Sequence, residues 1–319
     1  MQTPLGWAAS RWSLSPRALR WSTATALVVA VLIVAGGAIV RVTGSGLGCP
    51  TWPTCDGTRV FVPVPDSIHL VIEQTNRAVT GLLILAVGWV IIAARLQRPR
   101  NRAVTRLAWS QFWLVVANAV AGGLSVLLGL NPWVVALHYL LAIGLIATAT
   151  LTYHRVRSGG ADEVPDRRSA RLSWVLMTAT SVLIVVGTLV TGSGPHSGDS
   201  DEVPRMGFDW VGVTSVHALL GTAVLVLAVL EWRFARASGT RILARRAAVL
   251  TLVVVLQALL GAAQARLGLP EWMVALHTVG AALVWIGAIR VLLDANPTLF
   301  STLGAVHLPR PGVAEPAAR

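Results

Sequence analysis

The chain has 319 residues, of which 55% are apolar and 13% charged, and its mean hydropathy is +0.68. Soluble proteins carry about a quarter charged residues, so this composition argues against an ordinary soluble globular protein. The net charge of +12 comes from arginine alone, and such an excess is also found in nucleic-acid-binding proteins. Two cysteines are too few for a disulfide-rich scaffold or for a zinc site built on cysteines.

Eight segments are long and apolar enough to span a bilayer, which takes about 20 residues. They are residues 23–43, 67–94, 107–130, 133–153, 172–193, 211–232, 247–268 and 272–294. The first has a basic flank, but its apolar stretch is longer than that of a signal peptide and no cleavage motif follows. We therefore predict an all-α integral membrane protein with eight transmembrane helices.

The arginines are concentrated in every second connection between the spans, and therefore on one side of the membrane. Five lie in each of the connections at 95–106, 155–171 and 233–246, whereas the long loops on the other side hold only Arg59 and Arg205. By the positive-inside rule, both termini and the arginine-rich loops are expected in the cytoplasm, in a multi-pass plasma-membrane protein. The charge is divided among loops, so the lipid bilayer is the expected partner and nucleic acid is not.

The two halves of the chain repeat each other. GLNPWVVALH at 129–138 recurs as GLPEWMVALH at 268–277, and VTGSG occurs at both 42–46 and 190–194. Four spans per copy give both copies the same orientation, so we predict two tandem four-helix bundles related by a pseudo-two-fold axis along the membrane normal. The expected parts are a cytoplasmic N-terminal segment (1–22), the bundles (23–153 and 172–294), a linker (154–171) and a disordered cytoplasmic tail (295–319).

Three histidines lie at similar depth near the outer ends of the even-numbered spans. His138 and His277 occupy the same repeat position, and His217 lies six residues into the sixth span. A lone polar residue in a membrane helix usually bonds to another helix, but three at one depth favour a function. Imidazoles on facing helices fit haem ligation better than a zinc or copper site. His154 and His307 are expected to be solvated.

The second span combines His69, Glu73 and Asn76 on one helical face, because they follow i, i+4 and i+7. Asn76 aligns with His217, so the first half lacks one expected imidazole. Glu73 is either ion-paired with Arg77 or Arg41, or a proton acceptor beside a haem. Because the second half has no matching carboxylate, we predict chemistry in the first half and a permanent cofactor in the second.

Cys49 and Cys55 flank five residues of the first long outer loop. An oxidising compartment makes a disulfide plausible there. Such a bond is either a staple for the loop or a redox-active pair close to the first-half site.

Over about residues 20–295 the sequence resembles the haem A synthase family. The resemblance rests on the histidines above, the cysteine pair and three motifs. The motifs are RVTGSGLGCP at 41–50, E-x-x-N-R at 73–77 and TGSGPHSGD at 191–199.

The resemblance implies an enzyme that oxidises a methyl group of haem O to the formyl group of haem A for terminal oxidases. It implies that His217 and His277 are axial ligands of a resident haem b, and that His138 and the residue at position 76 belong to the substrate-haem site. Glu73 matches the residue implicated in catalysis. The cysteines match a pair associated with haem transfer, for which haem O synthase is a candidate partner; a homo-oligomer is a candidate assembly.

Asn76 departs from the family motif, which has histidine there, and asparagine is a poor haem ligand. We hypothesise that His69 takes the second position on the substrate iron. The alternatives are ligation by His138 alone, or a chain that binds haem without modifying it. Two further functional classes are a di-haem b-type electron carrier of the quinol-oxidising kind and a parallel-repeat transporter.

Overall fold

The computed structural model describes residues 3–63, 67–157, 165–196, 198–199 and 203–299. Nine helices are seen in these ranges, and the last eight are long and apolar enough to cross a membrane. They are α1 (Pro4–Arg11), α2 (Pro16–Val42), α3 (Ile68–Arg95), α4 (Arg102–Leu127), α5 (Pro132–Arg157), α6 (Arg167–Ser193), α7 (Trp210–Ala237), α8 (Arg241–Arg266) and α9 (Glu271–Ala295). The described part contains no strand, so the predicted eight-helix, all-α membrane fold is confirmed.

The helices extend further at their arginine-rich ends than hydropathy predicts. The second helix begins at Pro16, where Ser15 caps it by accepting a hydrogen bond from the backbone N–H of Ala18 at 3.2 Å. Arginine is a good helix former, so the charged flanks continue the helix beyond the apolar span. The helix α1 also forms within the predicted N-terminal segment, whereas residues 300–319 of the predicted tail, including His307, lie outside the described residues.

Helices α2–α5 pack mainly on one another, as do α6–α9. Each group has its own apolar core. The last helix joins them, because it packs against α2 and α5 as well as α6 and α8. On α9, the Trp285 indole is buried and donates a hydrogen bond to the backbone carbonyl of Ile143 on α5 at 3.0 Å.

The repeat is visible in the tight turns of the two halves. Leu130 and Leu269 both adopt a left-handed conformation, with φ of 57° and 61°. Their amides donate to the carbonyls of Ser125 and Gln264, at 2.7 and 2.8 Å. A positive φ is uncommon for a residue with a Cβ, so the shared strain marks the two turns as copies of one structure.

At the end of the helices opposite the arginine-rich loops, for which we keep the name outer side, Arg41 of α2 crosses to the second half. Its Nε donates to the carbonyl of His196 at 2.8 Å and its Nη2 to the carbonyl of Thr191 at 2.6 Å. Beside it, the amide of Gly46 donates to the carbonyl of Gly198 at 2.8 Å. Arg41 is therefore an inter-half clamp, and it does not form the ion pair with Glu73 that was one expectation.

At the arginine-rich side, the side chain of His154 is only 13% exposed, so it is partly buried instead of solvated. Because α5 continues to Arg157, His154 lies in its last turn, between α8 and α9. Its Nε2 is 3.8 Å from an Asp294 carboxylate oxygen, and its Nδ1 is 3.1 Å from Nη1 of Arg246. Arg246 and Asp294 also form an ion pair. The expectation of a solvated histidine was wrong because the helix is longer than its apolar segment.

Candidate haem site

Four side chains near the outer ends of the helices each pack against a glycine of the preceding helix. We call each such pair a glycine notch. A Cβ built on the glycine would lie 2.7 to 3.3 Å from the facing side chain, closer than ordinary van der Waals contact. The notches are Gly36 with Asn76, Gly122 with His138, Gly187 with His217, and Gly261 with His277. A Cβ at the three histidine notches would require the ring to move by a few tenths of an ångström, and a Cβ on Gly36 would collide with Oδ1 of Asn76.

Two imidazoles face each other in the second half. The ring centroids of His217 on α7 and His277 on α9 are 6.2 Å apart, with 64° between the ring planes. Metal–imidazole bonds are about 2 Å long, so this separation accommodates an iron atom between the rings. Both Nδ1 atoms are buried and, among the described residues, have no well-formed hydrogen bond. Burial of Nδ1 leaves Nε2 as the nitrogen for a metal, so the pair fits a haem held by two axial ligands.

The first half holds one imidazole and one carboxamide in the corresponding places. His138 lies in its notch with Nδ1 buried, close to the backbone of Asn118 on α4. Asn76 lies in the notch of Gly36, with its Oδ1 buried and not hydrogen-bonded to any described residue. The alignment that paired Asn76 with His217 therefore agrees with the packing, and the first half lacks a facing pair of imidazoles.

The carboxylate of Glu73 is 7% exposed and accepts a hydrogen bond from Nε of Arg77 at 3.1 Å. Of the two expected arginine partners, the structure selects Arg77. The same guanidinium donates to three backbone carbonyls of the cysteine loop. These belong to Thr51, Pro53 and Thr54, at 3.2 to 3.3 Å. Arg77 thus connects the buried carboxylate of Glu73 on α3 to the cysteine loop.

Cys49 and Cys55 form a disulfide and are almost fully buried, which confirms the expected bond. Trp52 lies between them in the sequence and packs on Gly123 of α4, where a Cβ would collide with the indole. The adjacent Gly122 forms the notch of His138, so the loop lies beside that notch. This contact was not identified from the sequence, although the adjacent glycines Gly122 and Gly123 on α4 are a signal for close packing.

His69 lies at the start of α3, one turn before Glu73. Its Nδ1 is 3.0 Å from Oγ of Ser45. The backbone of His69 is also close to Gly48, where a Cβ would have no room. The structure therefore ties His69 to the 41–50 motif, while Glu73 is tied to the cysteine loop.

Asp56 organises the exposed end of that loop. Its Oδ1 accepts hydrogen bonds from the amide and hydroxyl of Thr58, both at 2.9 Å, and from the amide of Arg59 at 2.6 Å. These bonds, the backbone ones foremost, lower the pKa of the Asp56 carboxyl to about 2. The loop is thus closed by a local hydrogen-bond network in addition to its disulfide.

Comparison with known proteins places this geometry in a family. Residues 19–289 match the COX15-CtaA family model, described as cytochrome oxidase assembly protein. A Heme A synthase of Staphylococcus saprophyticus is 30% identical over 63% of this chain and 70% of its own length. A Heme A synthase of Staphylococcus carnosus is 27% identical over 77% of this chain and 83% of its own length. Since the match runs through every helix that carries a glycine notch, the chain belongs to the COX15-CtaA family.

Proposed function

We propose that this protein is a haem A synthase, a membrane oxidoreductase that converts the methyl group of haem O to the formyl group of haem A. The observation that carries the proposal is the opposed pair of His217 and His277, which fits haem, in a chain whose curated relatives are named Heme A synthase. The di-haem carrier is not favoured, because Asn76 takes the place that an imidazole would need in the first half.

The second half binds the resident cofactor, which we propose to be haem b, through His217 and His277. When bound, the haem supplies a redox centre that exchanges single electrons. Gly187 and Gly261 admit the rings between the helices and fix their orientation. Because both Nδ1 atoms are buried, Nε2 is the nitrogen of each ring that would bind the iron.

The first half binds haem O as substrate, with its iron on His138. His69 is the proposed second ligand, because the contact between its Nδ1 and Ser45 would set the tautomer and leave Nε2 for iron, as is usual for metal-binding histidines. Asn76 packs beside the substrate. Haem O synthase is the proposed donor of the substrate, and the disulfide loop beside the His138 notch is the proposed surface for its transfer.

Glu73 provides the charge that the chemistry needs. Oxidation of a methyl group to a formyl group takes four electrons from the carbon and adds one oxygen atom, with release of protons, and the redox step belongs to a cofactor since side chains cannot perform it. A carboxylate beside the methyl group accepts the proton or stabilises positive charge that develops on the carbon. The ion pair with Arg77 and the burial of Glu73 hold that carboxylate in one orientation in a dry site.

Substitution of Glu73 tests this role. In a host that lacks the chain but makes haem O, Glu73→Gln should reduce haem A by about a hundredfold, the size of a lost acid–base group, while haem remains bound. Glu231→Gln is the matched control, because Glu231 is a fully buried carboxylate of the second half and should leave haem A unchanged. The measurement is chromatography of extracted haems. Normal haem A in the Glu73 variant would disprove the role, and an unchanged substrate-haem spectrum in His69→Ala would exclude His69 as ligand.

The proposed topology puts the arginine-rich helix ends and both termini in the cytoplasm, with the disulfide loop outside. Two independent features support it. Arginine is concentrated at one end of the helices, and the disulfide lies at the other end, where an oxidising compartment would maintain it.

A further inference from the structure

One face of α4 changes from charged to aromatic over its first three turns. Arg102, Arg106, Trp109 and Trp113 follow i, i+4, i+7 and i+11, so they share that face. With Arg95 and Arg100 they line a cavity of about 700 Å³ at the arginine-rich end of the protein. This cavity lies at the opposite end of the helices from the proposed haem sites and is independent of them.

The cavity is strongly positive. Four guanidinium groups line it, and none of its described lining residues is acidic. The Nε of Arg95 is buried and makes no hydrogen bond to any described residue. Partial desolvation and the charges of Arg95 and Arg102 lower the pKa of Arg100. Arginines crowded around one cavity attract an anion, and guanidinium groups are well suited to phosphate oxygens.

The aromatic end of the cavity indicates that the anion carries hydrocarbon. Trp109 and Trp113 lie one to three turns further into the span and are 38% and 63% exposed. Phe112 packs edge-on against both, with ring centroids 5.6 and 5.3 Å apart. Tryptophan prefers the boundary between head groups and acyl chains. An amphipathic anion would place its phosphate at the arginines and its chains along these rings.

The second half provides an internal comparison. Arg241 and Arg245 occupy the same positions on α8 as the two arginines of α4, but Ala248 and Leu252 replace the tryptophans. Membrane topology accounts for arginines in both halves. The tryptophan pair distinguishes the first-half face, so the second-half face serves as a comparison with the same two arginines but without the aromatic rings.

We propose that this cavity binds the head group of an anionic phospholipid, with preference for a lipid that carries two phosphates, such as cardiolipin. Four guanidinium groups can pair with two phosphates, whereas a single phosphate would leave part of the charge unpaired. Basic pockets between membrane helices are suited to such head groups. The proposal does not depend on the haem chemistry.

The test uses the purified full chain and native mass spectrometry with added cardiolipin, phosphatidylglycerol or phosphatidylcholine. Cardiolipin should bind most tightly of the three lipids. Its affinity should fall about tenfold or more in Arg102→Gln/Arg106→Gln, because each arginine next to a lipid phosphate adds electrostatic binding energy. The matched control Arg241→Gln/Arg245→Gln, which removes the same charge from the second half, should change the affinity less than about twofold.

A second variant keeps the charge and changes only the aromatic end. Trp109→Ala/Trp113→Leu introduces the residues of the second-half face and should weaken cardiolipin binding. This variant tests the proposal independently of whether the arginine variant folds. Equal loss in the α4 and α8 arginine variants, or equal binding of phosphatidylcholine, would overturn the proposal. Displacement of the lipid by millimolar inorganic phosphate would reassign the cavity to free phosphate and likewise overturn it.

Discussion

Three proposed haem ligands, His138, His217 and His277, each pack against a glycine of the preceding helix, and this glycine determines where the ring lies. An imidazole between two membrane helices needs room that only a missing side chain provides. The notches of Gly187 and Gly261 leave the rings of His217 and His277 facing each other. The position of each of these two proposed ligands therefore depends on a glycine of the preceding helix.

Substitution of a notch glycine should impair haem binding. In Gly187→Ala the new Cβ would lie 3.2 Å from Cε1 of His217, so the ring must shift, and we expect haem affinity to fall about tenfold, as for other changes that misorient a metal ligand. Haem content and the absorption spectrum of the purified protein measure the effect. Gly221→Ala is the control, because nothing lies within 4 Å of a Cβ there. Equal haem content in both variants would contradict the role of the notch.

Residue-level prediction from sequence succeeded where spacing carries the information. One of the two alternatives for Glu73 was an ion pair with Arg77 or Arg41, and the pair with Arg77, at i, i+4, is the one that forms. Prediction from sequence failed where the contacting side chains belong to helices distant in the chain. The burial of His154 depends on α8 and α9, and no local pattern encodes that contact.

Among the elements, the cysteine loop has the most complete internal support. The disulfide, the Trp52 contact and the hydrogen bonds of Asp56 and Arg77 all constrain it. A cysteine pair in an outer loop made the disulfide predictable. The docking of the loop on α3 and α4 could not be predicted, because the loop accepts the hydrogen bonds of Arg77 through backbone carbonyls, which every residue has.

The Asp56 network should make the loop sensitive to acid. The folded pKa of about 2 lies below the ordinary aspartate pKa of 3.8, so the carboxylate stabilises the loop at pH above about 4 and loses this effect as the pH falls through 2. Hydrogen exchange at the amides of Thr58 and Arg59 should be unchanged between pH 7 and pH 5, after correction for intrinsic rates, and less protected at lower pH.

Asp56→Ala should give the same loss of protection already at neutral pH, because it removes the acceptor. Asp209→Ala is a control at another loop, since Asp209 caps α7 through the amide of Gly212. If protection of the Asp56 loop is the same in wild type and Asp56→Ala, the disulfide alone holds the loop.

At the scale of the whole molecule, a few polar contacts join two halves that otherwise pack by apolar surfaces. Arg41 joins them at the outer side, and Trp285 joins them within the membrane. The repeat, the number of spans and the fold class could be predicted from sequence, because periodicity and hydropathy carry them. The polar contacts between the halves could not be predicted, since they depend on how one bundle packs against the other.

Removal of the outer clamp should destabilise the whole protein. Arg41→Ala deletes two hydrogen bonds from a charged donor and should lower the free energy of unfolding by about 2 kcal/mol. Denaturant unfolding in detergent, followed by tryptophan fluorescence, measures this loss. The control is Arg59→Ala, an exposed arginine of the cysteine loop, which should have little effect. Equal stability of the two variants would show that apolar packing alone joins the halves.

The notch of Gly36 also bears on ancestry. A duplication copies a glycine together with the side chain that packs on it, and Gly122 with His138 recurs as Gly261 with His277, 139 residues further on. In the other pair of corresponding hairpins, α2–α3 and α6–α7, both halves have the glycine, Gly36 and Gly187. Only the second half has an imidazole there, His217, whereas the first half has Asn76. In this chain the two halves therefore keep the same space between their helices and differ in the side chain that fills it. One bundle is thereby distinguished from the other by a side chain, with the helix packing unchanged.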